Sequence, residues 1–299
     1  MSSASRITER SINASVMANL QGNLTAMQRL QEQLSSGRQV NRPSDSPANT
    51  GSALEFRADI RRAEQYSRNA DDGLGWLGTA DNTLTSATEM VNRAHDLLVA
   101  AGNGAVGGPE RQATAREIDA LRDSLLGLAN ARYLDRPIFA GTAGVDSAYA
   151  VDGTYRGNSG AAALLLRTVA PGVSVQVNLD GPTVFGPDAG GLFQVLTDAS
   201  AHLDANDPAA IRSDMDSLQA AGQRIQDQLA TVGALYNRVQ TMRDRADRTA
   251  LNLKSSLSEV EDVDLPKTIV DLQLQETAYQ SALSATAKVI QPSLVDFLR

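Results

Sequence analysis

Between residues 211 and 260 the sequence keeps one seam at alternating steps of four and three. Its members are Ile211, Met215, Leu218, Gly222, Ile225, Leu229, Val232, Tyr236, Val239, Arg243, Ala246, Ala250, Leu253, Leu257 and Val260, apolar at all but Gly222 and Arg243. A 3.5-residue repeat kept for about seven heptads holds one helix face on a partner by left-handed supercoiling, so this stretch is committed to a long coiled-coil-like helix. Asp207-Pro208 supplies an N-cap and a first-turn proline. Asp244 precedes Arg248 in the favourable i, i+4 orientation. At 1.5 Å per residue the helix is roughly 75 to 80 Å long, whereas a compact globule of this chain length is only about 50 Å across. The spacing therefore predicts a rod of long antiparallel helices.

A second seam runs Phe56, Ile60, Ala63, Ser67, Ala70, Leu74, Leu77, Asp81, Leu84, Thr88, Val91, His95 and Leu98, opened by Ser46-Pro47 and closed by the glycines from Gly102 to Gly108. Pro109-Glu110 opens a shorter helix with Ala115, Ile118, Leu121, Leu125 and Leu128 at helical spacing. Both chain ends carry amphipathic stripes. Met17, Leu20, Leu24, Met27, Leu30 and Leu34 form one, closed by Gly37; Leu265, Ile269, Leu272, Tyr279, Leu283, Ile290 and Leu294 form the other, opened by Asp264-Leu265-Pro266. Neither end has an obvious partner except the other. From 137 to about 195 the character changes to Gly, Val and Thr with turn signals such as Asp152-Gly153 and Pro171-Gly172, and Val173, Val175, Val177 and Leu179 alternate with polar residues. That period of two marks a small β-rich insertion.

Composition narrows the function. Aromatics are 4% of the chain while alanines number 44, so small side chains supply much of the packing. The net charge of −8, with both signs interspersed, argues against a general nucleic-acid binder. The absence of cysteine excludes disulfide frameworks, cysteine nucleophiles and thiolate metal sites. The first ten residues lack the apolar region and cleavage site of a secretory signal peptide. The longest aliphatic run, Ala161 to Leu166, is far short of the roughly 20 residues that span a bilayer.

No set of nucleophile, base and orienting group can be assembled, and no cofactor is expected. The glycines at 102, 104 and 107 fit G-x-G-x-x-G, but that dinucleotide fingerprint needs a preceding strand; after a helical seam it reads as an interhelix loop. His95 reads as a packed or partner-facing seam residue, and His202, beside Asp198 and Asp204, as a solvated cap rather than a metal ligand. Glu259, Glu261, Asp262 and Asp264 lack the glycine and ligand spacing of a calcium loop and read as a solvated helix junction, with engagement of basic partners as the alternative. Trp76 reads as a partly buried anchor between helices, with an interface role as the alternative, and Asn13 and Asn23 as chance glycosylation sequons.

Residues 34–47 (LSSGRQVNRPSDSP), 69–73 (NADDG) and 95–104 (HDLLVAAGNG) resemble the N-terminal signature of the flagellin superfamily. Within it, PSD at 43–45, LAN at 128–130 leading to IFAGT at 138–142, YRG at 155–157, LSEVEDVD at 257–264 and QPSLVDFL at 291–298 are similar to the hook-associated protein 3 group, the hook-filament junction proteins. Ser46 stands where that family usually has a second aspartate, and Arg136-Pro137 interrupts the usual glycine-containing approach to the Phe139-Ala140-Gly141 strand.

The resemblance implies a non-enzymatic axial protein of the bacterial flagellum, extracellular and exported unfolded without a cleavable signal. It implies a layer of copies between hook-associated protein 1 and the flagellin filament, with no membrane insertion. The fold it implies is mainly α with an inserted β domain. An inner coiled coil of 1–45 with 265–299 would be disordered in the monomer, 46–136 with 206–264 would form a helical rod, and 137–205 a small all-β outer domain. On this reading the two terminal stripes are assembly surfaces, the C-terminal one also holding an export chaperone. Asn41, Arg42, Pro43, Asp45, Asp262 and Asp264 would form a domain joint. The nearest rival is a short filament-forming flagellin; a coiled-coil scaffold or adhesin unrelated to flagella, and an enzyme, are the other classes.

Overall fold

The computed structural model describes residues 3–102 and 107–290, and most of them are helical. The long helices begin and end where the caps put them. α1 (Ser3–Ser36) stops before Gly37, whose φ of +71° is the left-handed C′ conformation that glycine adopts without a Cβ clash. α2 (Pro47–Gly102) starts after Ser46, whose hydroxyl accepts a long 3.4 Å bond from the Asn49 amide. α3 spans Gly108–Ala129, and α6 spans Pro208–Glu261 behind Asp207, whose carboxylate accepts from the amides of Ala209 and Ala210. α7 (Leu265–Ile290) is capped by Asp264, which accepts from the Lys267 amide at 3.1 Å.

The chain divides into two compact units, residues 62–249 and residues 1–61 with 250–299. In the first, α2 and α6 run antiparallel, with Gly73 against Val239, Gly222 against Val91, and Gly102 against Ile211 and Met215. On α6 the heptad positions Ile211, Leu218, Ile225, Val232, Val239 and Ala246 are all buried, as the spacing requires, while Tyr236 is exposed. On α2 the seam needs one correction. Leu77, Leu84, Val91 and Leu98 are buried, but Asp81, Thr88 and His95 are not; the buried positions between them are Ala80, Ala87 and Ala94, each one residue earlier, and Ala101 continues that row. Small side chains let the partner helix sit over this edge, which is where the alanine surplus goes.

α3 packs on α5 (Leu192–Ala205), and the Ser200 hydroxyl donates to the Ala115 carbonyl at 3.3 Å. Between them in the chain lie two small antiparallel hairpins. β1 (Arg132–Tyr133) pairs with β2 (Arg136–Pro137), and β3 (Leu166–Ala170) pairs with β4 (Val173–Gln176) across Pro171-Gly172. The alternating stretch is a strand only over 173–176; Val175, Val177 and Leu179 are buried as the alternation predicts, but the polar Asn178 is buried as well. The insertion is nevertheless not all β: a short helix, α4 (Gly181–Phe185), and the whole of α5 lie within 137–205. The scarce aromatics concentrate here. Phe139, Tyr149, Phe185 and Phe193 meet at centroid separations of 5.0 to 5.8 Å in mostly edge-to-face contacts. Trp76 is fully buried rather than partly so, and its ring lies 5.6 Å from Tyr133 and 5.9 Å from the Arg136 guanidinium.

In the second unit α1 and α7 pack antiparallel: Gln275 donates to the Asn23 side chain at 3.2 Å, and the Val263 amide donates to the Gly37 carbonyl at 3.0 Å. Asn23, one of the sequon asparagines, is thus part of this packing.

Candidate functional site

The paired chain ends show how little they bury. Of the N-terminal stripe, Leu20 is buried and Met27, Leu30 and Leu34 are half-buried, while Met17 and Leu24 are exposed. Of the C-terminal stripe, Leu272 and Tyr279 are half-buried, while Leu265, Ile269 and Leu283 are exposed. The side chain of Ile290 and the whole of Leu294 lie outside the described residues. Val270 and Leu274, one turn apart on α7 and 62% and 68% exposed, add apolar surface that the stripe did not include. Two helices pressed along one line cannot cover apolar residues that spread around each of them, so the pair retains surface suited to further neighbours.

At the open end of this pair the chain turns through the predicted joint. Asp45 accepts from the amides of Asn41 at 3.2 Å and Arg42 at 2.8 Å, so its carboxylate folds the Asn41-Arg42-Pro43 turn onto itself. Arg42 reaches Glu32 at 3.2 Å. Asp262 sits opposite Arg38 in an isolated β-bridge, and Asp264 caps α7. Each predicted residue is therefore placed in local backbone structure. The centre of this turn is a residue outside that set, Glu261, and all of these residues lie within the unit of the chain ends. Its side chain is 8% exposed, accepts from Arg38 Nε at 2.9 Å and pairs with Arg57, while its carbonyl accepts from the Gln39 amide at 2.7 Å. Gln33, also buried, donates to the Gln39 carbonyl at 2.9 Å. A signal for Glu261 was in the sequence: a carboxylate in the last turn of a helix faces the negative end of the dipole and needs cations beside it.

The other chemical candidates are absorbed by structure. His202 bonds Asp214 at 2.7 Å, and that carboxylate raises the imidazole pKa, with Asp198 and Asp207 adding to it. Its aspartate partner lies on the next helix, not among the sequence neighbours Asp198 and Asp204. Burial raises the Tyr149 and Tyr155 hydroxyls. Asn103 to Val106 of the glycine motif lie outside the described residues. Among the described residues no group of three His, Asp or Glu side chains is arranged to hold a metal, and no helix is long and apolar enough to cross a membrane.

Long paired helices, a charge-locked turn and apolar stripes left open define a structural protein. Known proteins say which kind. The bacterial flagellin N-terminal helical region matches residues 7–143 and the bacterial flagellin C-terminal helical region matches residues 215–298. Over 298 residues the chain is 27% identical to a flagellin of Bacillus subtilis, covering 96% of each. It is 25% identical over 279 residues to a flagellar hook-associated protein 3 of Escherichia coli, covering 85% of this chain and 87% of that one. Its fold matches that of a putative flagellar hook-associated protein from Vibrio parahaemolyticus with a TM-score of 0.67 at 18% identity, covering 73% of this chain and 100% of that one. The chain belongs to the bacterial flagellin family. It is a structural component of the bacterial flagellum and not an enzyme.

Proposed function

We propose that the protein forms the junction layer between hook-associated protein 1 and the flagellin filament, assembling by coupled folding of its terminal helices. The observation that carries this reading is the exposed apolar surface of the α1/α7 pair, at Met17, Leu24, Leu265, Ile269 and Leu283, on a chain with hook-associated protein 3 among its relatives. Isolated helices with so narrow a buried face are marginal in water. Residues 1–45 and 265–299 would be disordered in the free chain and order against neighbouring copies, so the ordering entropy is met only when the partner surface is present. The same apolar C-terminal face would be held by an export chaperone before assembly, on a chain exported unfolded to the extracellular flagellum.

A strain lacking the protein, with an intact hook and flagellin monomers shed into the medium, supports the junction role. The flagellin of Bacillus subtilis, matched over 96% of both chains, favours a second reading, a short filament-forming flagellin. Purified protein that grows long filaments by itself would establish that reading instead. Limited proteolysis tests the coupled folding: the free protein is trimmed to about residues 45 and 265 if the ends are disordered, and equal protection of the ends in free and assembled protein refutes it.

A further inference from the structure

The β1–β2 hairpin turns through Leu134 and Asp135, with φ of +46° and +61°. Two consecutive left-handed residues make the type I′ turn that Asn-Gly takes without strain; leucine, with a bulky Cβ substituent, does not favour that region. The strained leucine is also 74% exposed at the tip. Its base is held firmly: Arg132 donates to the carbonyls of Asp135 and Asp146, and Tyr133 and Arg136 lie on Trp76. The Asp135 carboxylate enters no ion pair among the described residues, so the tip presents an apolar side chain beside a free negative charge.

The same unit carries a matching hollow. A concavity of about 410 Å³ has Leu126, Ala150 and the 89% exposed Val151 among its walls, with Arg122 and Arg156 also lining it. Arg122 is held by Asp123 at 2.9 Å, a carboxylate that also lines the hollow, whereas Arg156 makes no salt bridge among the described residues and feels Asp152 only at longer range. An apolar wall beside a guanidinium without a salt-bridge partner is complementary to a leucine followed by an aspartate, and the volume accommodates both side chains. We propose that Leu134 and Asp135 of one copy insert into this concavity of a second copy, with Asp135 meeting Arg156. A protrusion that fits a hollow elsewhere on the same chain makes a head-to-tail contact, the kind that propagates around a ring or along a helix. This rests on the reading that copies of the chain form a layer, and it names the contact between them. Strain held at an exposed tip is accounted for when the tip has a partner to engage.

The chain has no cysteine, so a Leu134→Cys/Val151→Cys variant reports contacts without background. Produced in cells lacking the native copy and treated with a short bismaleimide on intact flagella, it is expected to give a ladder of cross-linked multimers. A mixture of the two single variants is expected to give dimers and no ladder. Asp135→Arg is expected to lower incorporation into flagella at least tenfold, and Arg156→Asp in the same chain to restore it, which a merely structural role for either residue does not predict. Flagella that contain the double-cysteine chain but yield no cross-link overturn this contact and leave the layer standing. Absence of the wild-type chain from isolated flagella overturns both.

Discussion

Glu261→Gln tests whether the turn beside α6 is held by charge or by backbone alone. The glutamine keeps the shape and one acceptor but removes the carboxylate that Arg38 and Arg57 share. A hydrogen bond to a charged group contributes about 1.5 to 3 kcal/mol, which sets an upper range for the two together. The arginine side chains are 54% and 38% exposed and recover water when released, which pulls the loss toward the small values of exposed pairs. Removing a negative charge from the C-terminal end of α6 returns about 0.3 to 1 kcal/mol. The net expectation is a loss of about 1 kcal/mol, confined to local opening of the turn. In the assembled protein, where the chain ends are ordered, two amides report it directly, Gln39 bonded to the Glu261 carbonyl at 2.7 Å and Val263 bonded to Gly37 at 3.0 Å. Because about 1.4 kcal/mol is a factor of ten, both should exchange roughly fivefold faster in the variant. Arg57→Gln should show more of this effect than Arg38→Gln, because Arg57 is the less exposed cation. Exchange at both amides unchanged from wild type in Glu261→Gln would refute the argument, since the backbone bridge would then stand without the charges.

Three further changes probe the larger unit. Ala87→Leu inserts three carbons at a fully buried seam position and should cost about 1 to 3 kcal/mol by overpacking, read as a lower melting temperature, whereas Thr88→Leu beside it should be nearly neutral. Gly75→Ala places a Cβ onto the Tyr133 ring, so the usual helix gain of about 1 kcal/mol should be reversed into destabilisation, with Trp76 fluorescence shifted as Tyr133 is displaced. His202 has a raised folded pKa, so the stabilisation from its pairing with Asp214 is fully present below the unfolded value of about 6.5 and is lost as pH rises through the folded one. The stability gap between wild type and His202→Asn, followed by denaturant unfolding from pH 6 to pH 9, should therefore narrow as pH rises, and a constant gap would show that the charge contributes nothing.

The helices were legible because their signals are local. Ser46, Asp207 and Asp264 mark starts, Gly37 and Gly102 mark ends, and the α6 seam needs only counting. The phase of the α2 seam was harder. Leu77, Leu84 and Leu98 fix the seven-residue repeat, but the choice between Ala80 and Asp81, or Ala94 and His95, depends on how closely the partner helix approaches, and alanine carries little apolar signal of its own. The first hairpin was hidden because Leu134-Asp135 is not a turn sequence by propensity; tertiary bracing through Arg132 and Trp76 imposes the conformation. Glu261 was hidden among acidic neighbours that look alike. Its two arginines lie in distant parts of the sequence, at Arg38 and Arg57, and only the fold brings them together.

The two units differ in what they bury, and this difference has a measurable consequence. Residues 62–249 contain the alanine and leucine seams and the aromatic cluster, with Leu84, Leu98, Ile118, Phe139 and Leu196 wholly inaccessible. In the unit of the chain ends Leu20, Ala53, Ile60 and Ala250 are buried apolar residues, three of them on helices shared with the rest of the chain, while at least nine larger apolar side chains there lie exposed, among them Leu54, Leu251, Val270 and Leu274. Burying an exposed leucine or valine fully contributes about 1.5 to 3 kcal/mol, so covering even three of them against neighbours outweighs what the isolated pair gains for itself. The stability of the chain ends should therefore depend on neighbours by mass action. In amide exchange, α1 and α7 of the free protein should open orders of magnitude more often than the 218–246 stretch of α6. On assembly they should gain at least a hundredfold in protection while that stretch changes little. Equal gains across both units would mean that assembly tightens the whole molecule, and the exposed stripes would lose their standing as the surface that neighbours cover.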